Sequence, residues 1–187
     1  MATEIENWNS LFQMDDPWNY TSPYELKKYS HTLEMLPPGT LKNALEIGCA
    51  EGIFTAMLAG RVERLTALDI SDVALERCRH RCNKFTHINF LQHDISTGAP
   101  DGSYELIVCS EILYYLKDQD ALKNFARKIT CALQDGGHIL ITHSNMVTDD
   151  RLHTGFDFNE IGALYIGHVF SEIAELEFIR ELRTELY

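Results

Sequence analysis

Residues 44 to 52 read Ala-Leu-Glu-Ile-Gly-Cys-Ala-Glu-Gly, a short apolar run that breaks into a glycine-spaced turn, and the apolar stretch 53 to 59 continues from it without a linker. A strand, a tight turn and a helix in that order open a β-α-β unit, which commits the chain to a parallel sheet with crossover helices. Gly48 lets the chain turn sharply at the strand's carboxyl end, and Gly52 removes a side chain where backbone must come close to a ligand. The helix that follows offers unpaired N–H donors at its start. The loop therefore has the form of a nucleotide-type binding turn. A dinucleotide fingerprint asks for glycine at 48 and 50 and glycine or alanine at 53, but this chain has Gly48, Ala50 and Ile53, so two of the three positions fail.

The alternation continues downstream. Strands are expected over 44 to 47, 64 to 69, 87 to 92, 104 to 109 and 138 to 143, with helices over 52 to 59, 71 to 82 and 118 to 133 between them. Ser71 caps the second of these helices, and Asp135-Gly136-Gly137 is expected to stop the third. Five strands alternating with helices predict a doubly wound, mostly parallel α/β sheet of Rossmann-like form with helices on both faces. Ahead of the sheet, Ser22-Pro23-Tyr24-Glu25 is a helix start with proline at the first helical position, and Pro37-Pro38-Gly39 ends that helix after about Met35. After it, residues 159 to 167 are expected as helix or loop, with a helix near 170 to 173 and a strand from 177 to about 186.

At 187 residues this is one domain, read as an amino-terminal lid segment (1–38), a binding core (39–145) and a carboxyl-terminal substrate-side segment (146–187). No apolar run approaches the ~20 residues that span a bilayer, and the first residues lack a basic and apolar leader, so a cytoplasmic chain is expected. Lys plus Arg is 16 against 28 Asp plus Glu, a formal charge of −12 that repels polyphosphate and anionic lipid, so neither nucleic acid nor membrane is an expected partner. The five cysteines show no C-x-x-C pair and fall mostly in apolar patterns, as reduced buried thiols do. Cys78 and Cys82 share a helical face with His80 between them, but no companion cluster supplies further ligands, so no metal is expected.

Ligands of open α/β sheets sit outside the carboxyl ends of the strands. Four such ends carry suitable groups: Gly48, Asp69, Asp94 and the pair Ser110-Glu111. Asp69, twenty-one residues after Gly48, is placed for its carboxylate to accept two ribose hydroxyls; taken alone, a solvated turn acid before Ser71 is the favoured reading. Asp94, with Ile95 behind it, can accept from an exocyclic amine, or it can cap the following turn.

At these positions the chain resembles the class I S-adenosylmethionine-dependent methyltransferases over roughly residues 43 to 145. Glu46-Ile47-Gly48-Cys49-Ala50-Glu51-Gly52 resembles their first motif, Leu68-Asp69-Ile70 their ribose-binding acid, Gln92-His93-Asp94-Ile95 their adenine-binding segment, and Gly136-Gly137-His138 the turn before their fifth strand. The family commonly has glycine where this chain has Ala50. Asp15-Asp16-Pro17-Trp18, His31-Thr32, residues 45 to 50 and Ser110-Glu111-Ile112-Leu113-Tyr114-Tyr115-Leu116 are more narrowly similar to the rhizobial nodulation N-methyltransferase family. The resemblance implies S-adenosylmethionine as cofactor, S-adenosylhomocysteine as product, and methylation of an amine on a small, sugar-type substrate. It implies cofactor contacts at Trp18, Glu46, Gly48, Cys49, Ala50, Gly52, Asp69, Ile70, Asp94, Ile95 and Ser110.

An amine nucleophile must be neutral to attack, so a proton acceptor is wanted. Glu111, just beyond the fourth strand, is the first candidate to hold or deprotonate an ammonium, with a plain first-turn acid as the alternative. His143, at the end of the fifth strand, is the second candidate. Tyr20, Tyr114 and Tyr115 are expected to wall the substrate side, with Trp18 and Tyr29 in a lid over it. Acids near the mouth, Asp15, Asp16, Glu111, Asp149, Asp150 and Asp157, favour a cationic acceptor. Rival readings are an O-methyltransferase using Lys117 or Arg151 for an anionic acceptor, and a cofactor-binding module without catalysis. The family's fold usually carries a seventh, antiparallel strand for which no segment is evident, so a truncated sheet or an edge covered by another chain is expected, in a monomer or weak homodimer.

Overall fold

The computed structural model describes residues 3–98, 100–143 and 160–174. Two amino-terminal helices, α1 (Glu4–Leu11) and α2 (Pro23–Glu34), precede the alternating core. The core runs β1 (Ala44–Ile47), α3 (Ile53–Leu58), β2 (Leu65–Asp69), α4 (Asp72–Arg81), β3 (Ile88–Gln92), β4 (Tyr104–Ser110), α5 (Gln119–Cys131), β5 (Leu133–Thr142) and α6 (Glu160–Ala174). The strands form one sheet in the order β3-β2-β1-β4-β5, and every neighbouring pair is parallel. The order reverses between β1 and β4, so the crevice outside their carboxyl ends is the topological switch point.

Alternate residues of the central strands go to opposite faces. Leu45 and Ile47 of β1 and Ile107 and Cys109 of β4 pack with Leu122, Phe125, Ala126 and Ile129 of α5 and with Ile166, Val169 and Phe170 of α6. Ala44, Leu106 and Val108 face the other way, onto Phe54 and Leu58 of α3 and Tyr29 of α2. The buried residues of α5 recur at i, i+3, i+4 and i+7, one stripe of a helix. Both layers thus close around β1 and β4, the strands whose ends carry the turn and Glu111. Side-chain caps fix where the helices begin: Ser22 accepts from the Glu25 N–H, Ser71 from Ala74 and Asp118 from Ala121. Each is worth about 1 kcal/mol against alanine.

Three elements differ from the expectation. Helix α1 was not anticipated, although Thr3 and Glu6 form a reciprocal capping box. Strand β5 begins at Leu133 rather than 138. Asp135-Gly136-Gly137 does not stop a helix there; it lies in an irregularity of the β4–β5 pairing, where Tyr104 opposes Leu133 but Leu106 opposes His138. The extra residues on one strand take up the register shift, and Gly136 supplies the left-handed φ of 74°. The stretch expected as helix or loop over 159 to 167 and the helix expected near 170 to 173 are one continuous helix of 15 residues, α6. The expected strand from 177 to 186, and with it the question of a further sheet edge, lies outside the described residues. Among the described residues no helix is long and apolar enough to cross a membrane, and no group of three or more His, Cys, Asp or Glu could hold a metal ion.

Candidate active site

The switch point opens into a cavity of about 1360 Å³. That volume exceeds the ordinary small-ligand range of roughly 300–1,000 Å³ and gives room for two molecules side by side. Its floor is the turn after β1. Gly48 (φ 77°) and Gly52 (φ 82°) are left-handed, and so is Ala50 (φ 46°), the residue that stands where glycine is common. The N–H groups of Gly48 and Cys49 both donate to the Leu68 carbonyl at 2.9 Å, so the turn folds back over the end of β2. Glycine at 48 is required twice over, by its φ and because a Cβ there would lie 2.3 Å from Ile112. Gly52 answers to packing as much as to a ligand: a Cβ there would meet Cys78 Sγ at 2.6 Å and Cys78 Cα at 3.0 Å, so it is the glycine that lets α4 close on the turn.

Among the described residues six polar or charged ones are buried, and five of them, Glu46, Glu51, Thr55, Asp69 and Ser71, surround this turn. Burying carboxylates is costly, so a concentration of them at a strand-end crevice marks a functional site. Asp69, 7 % exposed, accepts from the Ala50 N–H on Oδ2 and from the Ser71 N–H on Oδ1, each at 2.9 Å. A carboxylate offers about four acceptor positions, so these two bonds leave acceptor capacity for a ligand. Burial pushes its pKa up to about 6, with the Ser71, Ala50 and Ile70 N–H groups opposing the rise. Glu46, 2 % exposed, is pushed up to about 8 by burial, partly offset by the Thr55 hydroxyl. Its Oε2 is buried without a hydrogen-bond partner, and Glu46 is among the residues that line the cavity.

Asp94 caps the 3-10 turn Ile95–Thr97 by accepting from the Ser96 N–H at 2.8 Å, and it also lines the cavity, so the two readings open to it coexist. Ser110 shares a hydrogen bond of 2.9 Å with Thr142, tying β4 to β5 at the mouth. Next to it, Glu111 is left-handed (φ 54°) while its N–H donates to the Thr142 carbonyl at 3.1 Å. A side chain in that region costs of order 1 kcal/mol and re-aims the residue away from the strand's alternation.

The amino-terminal segment supplies the far wall. Trp8 of α1 lies edge-on to Tyr115, centroids 4.8 Å apart, and Trp18 stacks obliquely between Trp8, Phe12 and Tyr20. This wall is pinned beside Asp69: Asn9 accepts from the Ser71 hydroxyl at 2.7 Å, and Arg77 donates to the Met14 carbonyl at 2.9 Å while pairing with buried Glu51. Burial raises the Tyr20 phenol well above its usual range, with Asp69 adding to the rise.

Every residue expected to contact the cofactor, from Trp18 to Ser110, lines this cavity, as do Glu111, Tyr20 and Tyr115. His143 is not among its lining residues; it follows β5, and burial lowers its pKa to about 4. Tyr114 lies in the 3-10 turn Leu113–Tyr115, with its side chain outside the described residues. Arg151 and the acids Asp149, Asp150 and Asp157 also fall outside them. The sequence reading missed Trp8, Glu25 and Lys28, all of which line the cavity. The Thr3–Glu6 capping box could have revealed α1, but the spacing of Lys28 from Glu111 carries no local signal.

Over residues 7–164 the sequence matches the family model described as Nodulation protein S (NodS). The chain belongs to the NodS family. It is 38% identical over 134 residues to Nodulation protein S of Rhizobium tropici, covering 71% of this chain and 56% of that one. Against Nodulation protein S of Bradyrhizobium diazoefficiens it is 44% identical over 121 residues, covering 62% and 58%. The chain thus spans a little over half the length of these NodS relatives. Its structure superposes on the N-methyltransferase NodS from Bradyrhizobium japonicum WM9, crystallised with S-adenosyl-L-homocysteine, with a TM-score of 0.78 at 29% identity, covering 90% of this chain and 84% of that one.

Proposed function

We propose that this NodS-family chain is an S-adenosylmethionine-dependent N-methyltransferase whose acceptor is the amine of a small polar metabolite, an amino sugar or de-N-acetylated chitooligosaccharide. The observation that carries the reading is the convergence of four strand ends, at Gly48, Asp69, Asp94 and Glu111, on one cavity. The NodS structure with S-adenosyl-L-homocysteine and the NodS relatives support it.

The residues present fit the cofactor. The open acceptor positions of Asp69 suit two ribose hydroxyls, Asp94 and Ile95 suit an adenine edge and face, and the buried, unpartnered Glu46 Oε2 suits an ammonium group. When bound, S-adenosylmethionine supplies an electrophilic methyl on a sulfonium, and transfer leaves the carbon–sulfur electron pair on sulfur as a neutral thioether. The protein's share is then positioning, water exclusion and proton management. Trp8, Trp18 and Tyr115 wall off solvent with aromatic faces that also favour cationic groups. Glu111 takes the acceptor's ammonium proton, freeing the lone pair that attacks; the product leaves as a secondary ammonium, and Glu111 gives the proton it accepted to solvent. His143 is the alternative base; its depressed pKa keeps it neutral, and its place behind the mouth favours Glu111. The lid (1–38), core (39–145) and substrate-side segment (146–187) act as one catalytic unit on this reading, with no role for nucleic acid or membrane.

Turnover of a de-N-acetylated chitooligosaccharide by wild type and Glu111→Gln tests this. Loss of the positioned base lowers kcat by about 10²-fold or more. Equal rates would remove Glu111 from the chemistry, and tight S-adenosylhomocysteine binding without any methyl transfer would identify a non-catalytic module.

A further inference from the structure

Helix α2 places a cation at the proposed base. Lys28 Nζ lies 2.8 Å from Glu25 Oε2 and 3.8 Å from Glu111 Oε1, bridging the amino-terminal segment to the end of β4. Lys28, Glu25 and Glu111 all line the cavity, and the Lys28 and Glu111 side chains are only 24% and 18% exposed. The surroundings are strongly acidic. Tyr29, the next residue of α2, has its phenol raised by burial and then by Glu25, with Glu46 and Glu111 adding to the effect, so three carboxylates from α2, β1 and the β4 end converge there. Tyr20 and Tyr115 face the same space, and Lys117 also lines the cavity.

Such a ring of acids binds an ammonium well but holds it in the wrong protonation state, because each nearby carboxylate favours the charged form and raises the amine's pKa. A methyltransferase acting on an amine needs the neutral form. We propose that Lys28 is a positioning and specificity-determining residue that lowers the pKa of the bound acceptor amine by standing beside Glu111, giving up ammonium affinity for reactive free base. This rests on Glu111 receiving the acceptor amine, as proposed above. An amine hydrogen-bonded to Glu111 lies about 5 Å from the Lys28 ammonium, a separation at which like charges shift one another by roughly one to two pKa units. Glu25 screens part of this, which leaves about one unit.

The test compares wild type, Lys28→Met and Lys28→Arg. A de-N-acetylated chitooligosaccharide with a 15N-labelled amine is titrated by NMR when bound to each protein in the presence of S-adenosylhomocysteine, and kcat and KM are measured across pH with S-adenosylmethionine. In Lys28→Met the bound amine's pKa rises by about one unit, the ascending limb of kcat against pH moves up with it, and at neutral pH kcat and KM both fall about tenfold with kcat/KM nearly unchanged. Lys28→Arg, which keeps the charge, retains the wild-type pKa. A merely structural role would lower kcat/KM and leave the bound amine's pKa where it was; that result, or a rise in KM without a pKa shift, overturns the proposal. If wild type neither binds nor methylates the amine, the N-methyltransferase reading falls and this inference with it.

Discussion

Adenosine binding should weaken about tenfold between pH 7.5 and pH 5, and the cause is a single buried carboxylate. Asp69 is 7 % exposed and spends one acceptor position of each oxygen on backbone N–H groups, so ribose hydroxyls need the remaining positions in the ionised form. Burial raises its pKa from 3.8 to about 6. At pH 7.5 it is almost fully ionised, whereas at pH 5 only about one molecule in eleven is; an acid at its ordinary pKa would still be ionised at pH 5. The apparent affinity falls with that fraction, a loss of about 1.4 kcal/mol. Adenosine is the right probe because it carries the ribose without the amino-acid end proposed to meet Glu46. Calorimetry at half-unit pH steps should show log Kd rising with unit slope below pH 6 in wild type and flat in Asp69→Asn, which binds weakly throughout. A flat wild-type profile between pH 5 and 7.5, or unchanged affinity in Asp69→Ala, would remove Asp69 from the ribose site.

The remaining expectations concern stability. Glu46 has a folded pKa of about 8 against an ordinary 4.5, so its contribution to stability is fully present below pH 4.5 and is lost as pH rises through 8. Glu46→Gln removes the charge that burial penalises: the ligand-free protein should gain about 2 kcal/mol at pH 9, or ~4–8 °C in Tm, and nothing at pH 4.5, while losing affinity for S-adenosylhomocysteine. Gly52→Ala combines a left-handed φ of 82° with a Cβ placed 2.6 Å from Cys78 Sγ and 3.0 Å from its Cα. Urea denaturation should show a loss of about 3 kcal/mol, only partly restored by Cys78→Ala because the backbone contact remains.

The strands and their ends were legible because a parallel sheet buries its central strands on both faces, leaving short, mainly apolar runs such as 44–47 and 104–109, each interrupted by one glutamate, that stop at the polar strand ends. That punctuation singled out Gly48, Asp69, Asp94 and Glu111 as positions, while the roles expected of them came from their joint occurrence and the family resemblance. What was hidden depends on contacts distant in sequence. The requirement for glycine at 52 comes from Cys78 on another helix, and the bridge from Lys28 to Glu111 joins residues far apart in the chain. The start of β5 was misplaced because two glycines mark a helix end and a strand irregularity equally well; only the pairing of Leu133 with Tyr104 distinguishes them. Helix α1 escaped because its one aromatic residue, Trp8, turns toward a cavity rather than the sheet, which blurs the apolar stripe.

The reading stands or falls on where the methyl group goes. S-adenosylmethionine labelled with 13C in its methyl, incubated with the protein and a de-N-acetylated chitooligosaccharide, reports this directly in the 13C NMR spectrum of the product. A single new N-methyl resonance that appears with wild type and is suppressed by Glu111→Gln is the expected result. An O-methyl resonance, or label that stays on the donor although the cofactor binds, would contradict it.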